Sequence, residues 1–141
     1  MHRQATYMLS GTLSFKCFDD PGPHYEAYGY LDIEVMGKTF EVWSVAESHP
    51  VETRISRSYV QRFSIDFVGP MDLPSSNQHV TLLGEVIEDD MPGDDIIGSY
   101  DGTKILVSTI FEQDRDYTFR GEDGSYVKIT LRLDKKVRDE L

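Results

Sequence analysis

The sequence predicts an all-β fold: an antiparallel β-sandwich of about eight strands, in one domain that spans residues 1–141. Three observations lead to this prediction. Apolar and polar residues alternate with a period of two in most segments, turn residues separate those segments, and no window holds the apolar stripe that a helix needs. A chain of 141 residues also has the size of one ordinary domain.

The clearest strands have one apolar and one polar face. Their apolar positions are Leu31, Ile33 and Val35, then Phe40 and Val42, then Phe63, Ile65 and Phe67, and near the end Val127, Ile129, Leu131 and Leu133. Further strands are predicted over residues 6–18, 79–87, 103–111 and 116–120. Gly37 supplies the positive φ that a tight hairpin turn needs. Segment 46–59 is interrupted by His49-Pro50 and is predicted to be a loop.

The charge balance limits the classes of partner. The chain has 25 acidic residues against 14 lysines and arginines, a formal net charge of −11. Such a charge repels phosphate backbones, so nucleic acids are not expected as partners. It also repels anionic lipid surfaces, and membrane binding is expected only where Ca²⁺ mediates it. A protein partner, if there is one, is expected to be basic.

The sequence shows no catalytic motif. Cys17 continues the apolar alternation of Leu13 and Phe15, which indicates a small buried hydrophobe rather than a nucleophile. The four histidines are scattered singly, and none has the spacing of a zinc site. We therefore expect a protein that is not an enzyme. The single cysteine and the lack of a recognisable targeting segment lead us to expect a cytoplasmic location.

Two acidic loops interrupt the alternating strands, at residues 18–26 and 85–98. Between Arg62 and Lys104 the chain has nine acidic residues and no lysine or arginine. A hard cation such as Ca²⁺ prefers several charged oxygens from flexible loops, so this segment is typical of a cation site. It is equally typical of a surface for a basic partner. Clusters of Asp, Gly and Pro also form ordinary soluble turns.

The segment from Val86 to Gly98 resembles the third top loop of C2 domains, in which a strand ends in D-x-D and D-x-x-G follows a few residues later. The first acidic loop is similar to the first loop of the same family. The resemblance covers residues 6–111 and implies a C2-like sandwich. It also implies a Ca²⁺ site whose ligands are Asp19 or Asp20, Glu26, Glu88, Asp90 and Asp95. Glu replaces Asp at two of these positions, and the basic strand with which many C2 domains bind phosphoinositides is missing.

Two hypotheses about function follow, and both describe a non-catalytic binding module that uses its acidic top loops. In the first, Ca²⁺ binds the carboxylates that the resemblance implies. In the second, the protein is a small acidic partner that clamps a basic protein, as a toxin-neutralising immunity protein does. Asp89 and Asp94 lie outside the implied metal shell and are assigned to the partner surface.

Aromatic residues offer further candidates for binding. Trp43 falls on the nominally polar face of its strand, so it is either an exposed anchor for a partner or sugar, or the cover of a second apolar patch. Tyr28 and Tyr30 are interpreted as strand residues on one face. The alternative is a recognition platform that they form with Tyr25.

Overall fold

The computed structural model describes residues 3–18, 23–55, 57–89 and 93–136, and the all-β prediction is confirmed. These residues form ten strands: β1 (Gln4–Lys16), β2 (His24–Val35), β3 (Lys38–Val45), β4 (Val51–Arg54), β5 (Tyr59–Pro70), β6 (His79–Glu88), β7 (Asp95–Ser99), β8 (Thr103–Leu106), β9 (Arg115–Arg120) and β10 (Tyr126–Lys135). Three short 3₁₀ turns lie at Leu73–Ser75, Val107–Thr109 and Glu122–Gly124. No described residues form a helix long and apolar enough to cross a membrane.

The strands form two antiparallel sheets. The four-stranded sheet has the order β5-β1-β10-β9. The six-stranded sheet follows the path β3-β2-β6-β7, with β4 paired to β2 and β8 paired to β6. Alternation within each strand turns one face of each sheet inward, which is how a sandwich buries a shared core.

The core lies between the two inner faces. In β1 and β10 every second residue is buried over long stretches, including Leu13, Phe15 and Leu131. Cys17 is fully buried at the end of this row, as its place in the alternation predicts. Burial of one such large apolar side chain contributes about 1.5–3 kcal/mol, so the inner faces are the main source of stability.

Trp43 belongs to this core because β3 contains a β-bulge. Leu31 of β2 lies opposite Trp43, whereas Asp32 lies opposite Glu41, so Val42 is an extra residue in β3. The bulge turns Trp43 inward, where it is 6% exposed and packs edge-on against Phe15 at 5.8 Å. The hypothesis that Trp43 is an exposed anchor for a partner or sugar is therefore wrong.

Three segments differ from the prediction. The predicted loop 46–59 contains β4, whose residues pair with the first residues of β2. The second half of the acidic segment 85–98 forms β7, which pairs with β6. The strand predicted over 103–111 ends at Leu106 and continues as a 3₁₀ turn. β4 has four residues and β7 has five, too few to show a clear alternation of polar and apolar side chains, so local alternation does not predict them.

Candidate functional site

The described residues that flank the two acidic loops lie at one end of the sandwich, which we call the loop end. β1, β3 and β6 finish there, and β2 begins there. Cross-strand pairing shows this directly, since Ala27 near the start of β2 lies opposite Glu88 at the end of β6. Val45, the last residue of β3, lies opposite Gly29 of β2. The loops that follow β3 and β6 are therefore neighbours in space.

Three acidic side chains converge at the loop end. Glu47 follows β3, Asp89 follows β6, and Asp94 precedes β7; each offers a carboxylate oxygen that lies within 4.8 Å of the other two. We call this group the carboxylate cluster. Ca²⁺ binds oxygen at about 2.3–2.6 Å, so two ligands of one ion lie at most about 5 Å apart. The spacing and the hard oxygen donors of the cluster fit this ion.

Hydrogen bonds to β2 position two members of the carboxylate cluster. The Asp89 backbone N–H donates to the carbonyl oxygen of Glu26 at 2.8 Å. The Tyr28 hydroxyl donates to Oδ2 of Asp94 at 2.7 Å. This bond to a carboxylate raises the pKa of Tyr28, with burial and nearby negative charge adding to the effect, so the phenol stays a donor at neutral pH.

Glu88 lies outside the carboxylate cluster and points into the sandwich. It is 1% exposed, and its Oε2 accepts a hydrogen bond from the Cys17 thiol at 3.0 Å. The pleat explains this position, because every second residue of β6 from Val80 onward faces the core, and Glu88 ends that row. Glu88, which the resemblance implies as a Ca²⁺ ligand, is therefore buried and lies apart from the carboxylate cluster.

The remaining predicted ligands divide into two groups. Asp19, Asp20 and Asp90 lie outside the described residues. Glu26 is exposed on the outer face of β2, and Asp95 is half-buried at the start of β7; neither belongs to the carboxylate cluster.

The sequence assigns Asp89 and Asp94 to a partner surface, and in the structure both belong to the carboxylate cluster. Since Glu88 faces inward, the pleat turns Asp89 outward. Glu47 was missed altogether. A signal for it exists in the sequence: in an antiparallel hairpin the end of β3 lies beside the beginning of β2, so an acid just after β3 is close to the first acidic loop.

Comparisons with known proteins support the fold. The sequence matches no protein-family model and no curated protein. A chain of the Cry23Aa1 and Cry37Aa1 binary protein complex aligns with a TM-score of 0.57 and 21% identity, over 94% of this chain and 99% of that chain. CC2D1B, described as coordinating ESCRT-III activity during re-formation of the nuclear envelope in mitosis, aligns with a TM-score of 0.53 and 12% identity, over 91% of this chain.

Human GIVD cytosolic phospholipase A2 aligns with a TM-score of 0.51 and 12% identity, over 96% of this chain. This chain spans 55% of the CC2D1B chain and 17% of the phospholipase chain. C2 domains are among these structures, so the C2-like fold implied by the loop residues is confirmed.

Proposed function

We propose that the protein is a non-catalytic binding module whose carboxylate cluster binds Ca²⁺. The observation that carries this proposal is the convergence of Glu47, Asp89 and Asp94, with oxygens within 4.8 Å of one another. Three carboxylates at this spacing repel one another. Bound there, Ca²⁺ would supply the charge that offsets this repulsion and would link the loop after β3 to the loop between β6 and β7.

The affinity is expected to be low. Ca²⁺ takes six to eight oxygens, and within the described residues three carboxylates lie close enough together to share one ion. Glu47 and Asp94 are also exposed, so solvent competes for the ion. A dissociation constant of about 10⁻⁴–10⁻³ M, the range of extracellular calcium modules, is the value we expect.

Thermal melting with and without Ca²⁺ tests this function. An ion that binds only the folded state stabilises it by about 2.7 kcal/mol at a hundredfold excess over Kd, which raises Tm by several degrees in a domain of this size. Glu47→Gln should remove most of this rise, because it deletes one charge of the cluster. The matched control is Glu122→Gln, the same change at an exposed acid at the same end of the sandwich.

The outcomes separate clearly. A Tm that is unchanged between chelator and millimolar Ca²⁺ rejects calcium binding. A rise that is as large in Glu47→Gln as in the wild type rejects the carboxylate cluster as the site. Loss of the rise in Glu47→Gln, with retention in Glu122→Gln, supports the assignment.

We propose binding of a protein partner as a second function. One fold match extends over nearly all of both chains and is to a chain of a binary protein complex, which supports such a role for a sandwich of this size. Asp89 and Asp94 are poor residues with which to test it. Because they belong to the carboxylate cluster, reversing their charge would disturb cation binding and partner binding together. A partner surface away from the cluster is needed to separate the two functions.

A further inference from the structure

The outer face of the six-stranded sheet carries a groove of about 340 Å³ between β2, β3 and β6. Tyr28 and Tyr30 of β2 form its aromatic floor. Three carboxylates also line the groove: Asp32 on β2, Glu41 on β3 and Glu85 on β6. We call this the acidic groove. Tyr30 is 41% exposed, so its ring is open to a ligand. None of the three acids belongs to the carboxylate cluster.

The irregular backbone of this sheet shapes the acidic groove. Because Val42 is bulged, Glu41 and Ser44 both reach the outer face, although an odd number of positions, three, separates them in the chain. Gly84 allows β6 to approach β2 closely, since a Cβ at Gly84 would lie 2.1 Å from the carbonyl oxygen of Tyr30. Bulges of this kind commonly re-aim side chains near functional sites.

Side chains from the loop after β7 fix the same backbone. The Tyr100 hydroxyl donates to the carbonyl oxygen of Tyr30. Oδ1 of Asp101 accepts a hydrogen bond from the Gly84 N–H at 3.0 Å. The floor of the acidic groove is therefore held in one shape before any ligand arrives, which lowers the ordering cost of binding.

The three acids of the acidic groove make no ion pair within the part of the chain that the structure describes. Asp32 and Glu41 lie directly opposite each other across β2 and β3, and Glu85 lies opposite Tyr30. Like charges in directly opposite positions destabilise a sheet. Among residues 3–18, 23–55, 57–89 and 93–136, no ion pair involves any of these three acids. The groove thus has a concentration of negative charge that a cationic ligand would offset.

We propose that the acidic groove binds an extended basic segment of a partner protein, with lysine or arginine at alternate positions. Asp32 and Tyr30 are two residues apart on β2, a distance of about 6.6–6.8 Å in a strand. Alternate side chains of an extended peptide have the same spacing. One cation of the peptide would therefore lie near Asp32 and Glu41, while the next would lie near Glu85, which is opposite Tyr30. The Tyr30 ring adds attraction for a cation above its face.

A labelled peptide of alternating lysine and serine is the probe, with an alternating glutamate and serine peptide as its control. Binding is measured by fluorescence anisotropy in the presence of a chelator, so that Ca²⁺ does not change the charge of the carboxylate cluster during the measurement. We expect the wild type to bind the lysine peptide, more weakly as salt is added, and not the glutamate peptide. Glu41→Gln/Glu85→Gln should weaken binding about tenfold.

Two controls separate a shaped groove from general charge attraction. Glu112→Gln/Glu122→Gln removes the same charge from exposed positions outside the groove and should change Kd less than about twofold. Tyr30→Ala should weaken binding, whereas Tyr30→Phe should not, because the phenylalanine ring keeps the aromatic face. Thermal melts confirm that each variant is folded.

The proposal is overturned if the lysine peptide does not bind at low ionic strength, or if both double variants lose affinity equally. It is also overturned if Tyr30→Ala binds as well as the wild type. The proposal does not depend on calcium binding, because every measurement is made with the chelator present. Failure of the lysine peptide to bind would therefore not affect the conclusion about Ca²⁺ binding that the melting experiment on Glu47→Gln gives.

Discussion

The two sheets of the sandwich differ in regularity. In the four-stranded sheet, β1 pairs with β5 over twelve consecutive residues and with β10 over ten, without a shift in register. In the six-stranded sheet the register shifts twice, at the β3 bulge beside Leu31 and between Val86 and Ile87 of β6. The carboxylate cluster and the acidic groove both border the irregular sheet. The regular sheet contributes the long rows of buried side chains, whereas the irregular sheet borders the carboxylate cluster and the acidic groove.

The charges on the two outer faces differ in the same way. On the four-stranded sheet, Asp66 forms an ion pair with Lys136 at 2.8 Å, and Asp116 accepts a hydrogen bond from the Thr130 hydroxyl at 2.7 Å. On the six-stranded sheet, Asp32 lies opposite Glu41. Among the described residues, Asp66 therefore has an oppositely charged partner, whereas Asp32 and Glu41 form no ion pair. The following substitutions test this contrast.

Trp43→Ala should have the largest effect. The β3 bulge turns Trp43 towards the four-stranded sheet, where its Nε1 donates a hydrogen bond to the hydroxyl of Tyr59 in β5 at 3.1 Å. Truncation leaves a large cavity and should lower the free energy of unfolding by about 3–5 kcal/mol, measured by urea denaturation. Trp43→Phe, which keeps much of the volume, should cost less. A loss below about 0.5 kcal/mol for Trp43→Ala would be typical of a surface position and would contradict its place in the core.

The position of Trp43 also shows where prediction from sequence stops. The period of two predicts the buried faces of β1 and β10 because these strands pair without a shift. It places Trp43 on the wrong face because one extra residue inverts the alternation, and whether Val42 is extra depends on the register with β2. A local pattern contains no information about that register.

The sequence locates the acidic segment of the candidate site but does not show which of its side chains meet in space. The acidic segment was identified from composition and loop resemblance, and two members of the carboxylate cluster, Asp89 and Asp94, lie in it. The sequence assigns Glu88 to the metal site and Asp89 and Asp94 to a partner surface, whereas the phase of the pleat at the end of β6 buries Glu88 and turns Asp89 outward. Glu47 comes from a different loop, so only the strand order brings it to the site.

Gly84→Ala should have the next largest effect, because it tests the close approach of β2 and β6. Gly84 has φ +124°, and an added Cβ would meet the Tyr30 carbonyl oxygen at 2.1 Å, so backbone strain and a backbone clash combine. We expect a loss of about 2–4 kcal/mol in the free energy of unfolding. The control is Gly102→Ala, where φ is +82° and no atom lies within 4 Å of the added Cβ; it should cost about 1 kcal/mol. Equal losses at the two positions would show that the close approach does not matter.

Tyr25 tests the contact between the sheets through pH. Its hydroxyl donates to the Phe15 carbonyl oxygen at 3.3 Å, which joins β2 to β1. Burial raises the pKa of Tyr25 from 10.0 to about 12, so the folded state favours the protonated phenol. This stabilisation is fully present below about pH 10 and is lost as the pH rises towards about 12; the loss is on the order of 1–2 kcal/mol.

Urea denaturation across this pH range measures the loss. Tyr25→Phe has no phenol to ionise and should show a shallower fall in stability. Tyr30→Phe, which changes a tyrosine that is 41% exposed, should retain the fall seen in the wild type. Identical slopes for Tyr25→Phe and the wild type would contradict a buried, hydrogen-bonded phenol at this position.

The smallest effects should distinguish the two outer faces by their sign. Asp32→Asn removes one of two like charges that lie opposite each other, so it should raise the free energy of unfolding by about 0.2–1 kcal/mol. Asp66→Asn on the four-stranded sheet breaks the pair with Lys136 and should lower it by a similar amount, about 0.2–1 kcal/mol. Each change removes one negative charge from a chain of net −11, so general relief of repulsion affects both equally. Urea denaturation at low salt measures the difference, which high salt should reduce. Two changes of the same sign would mean that net charge, rather than local pairing, governs both faces, and the contrast between the sheets would then not extend to their charges.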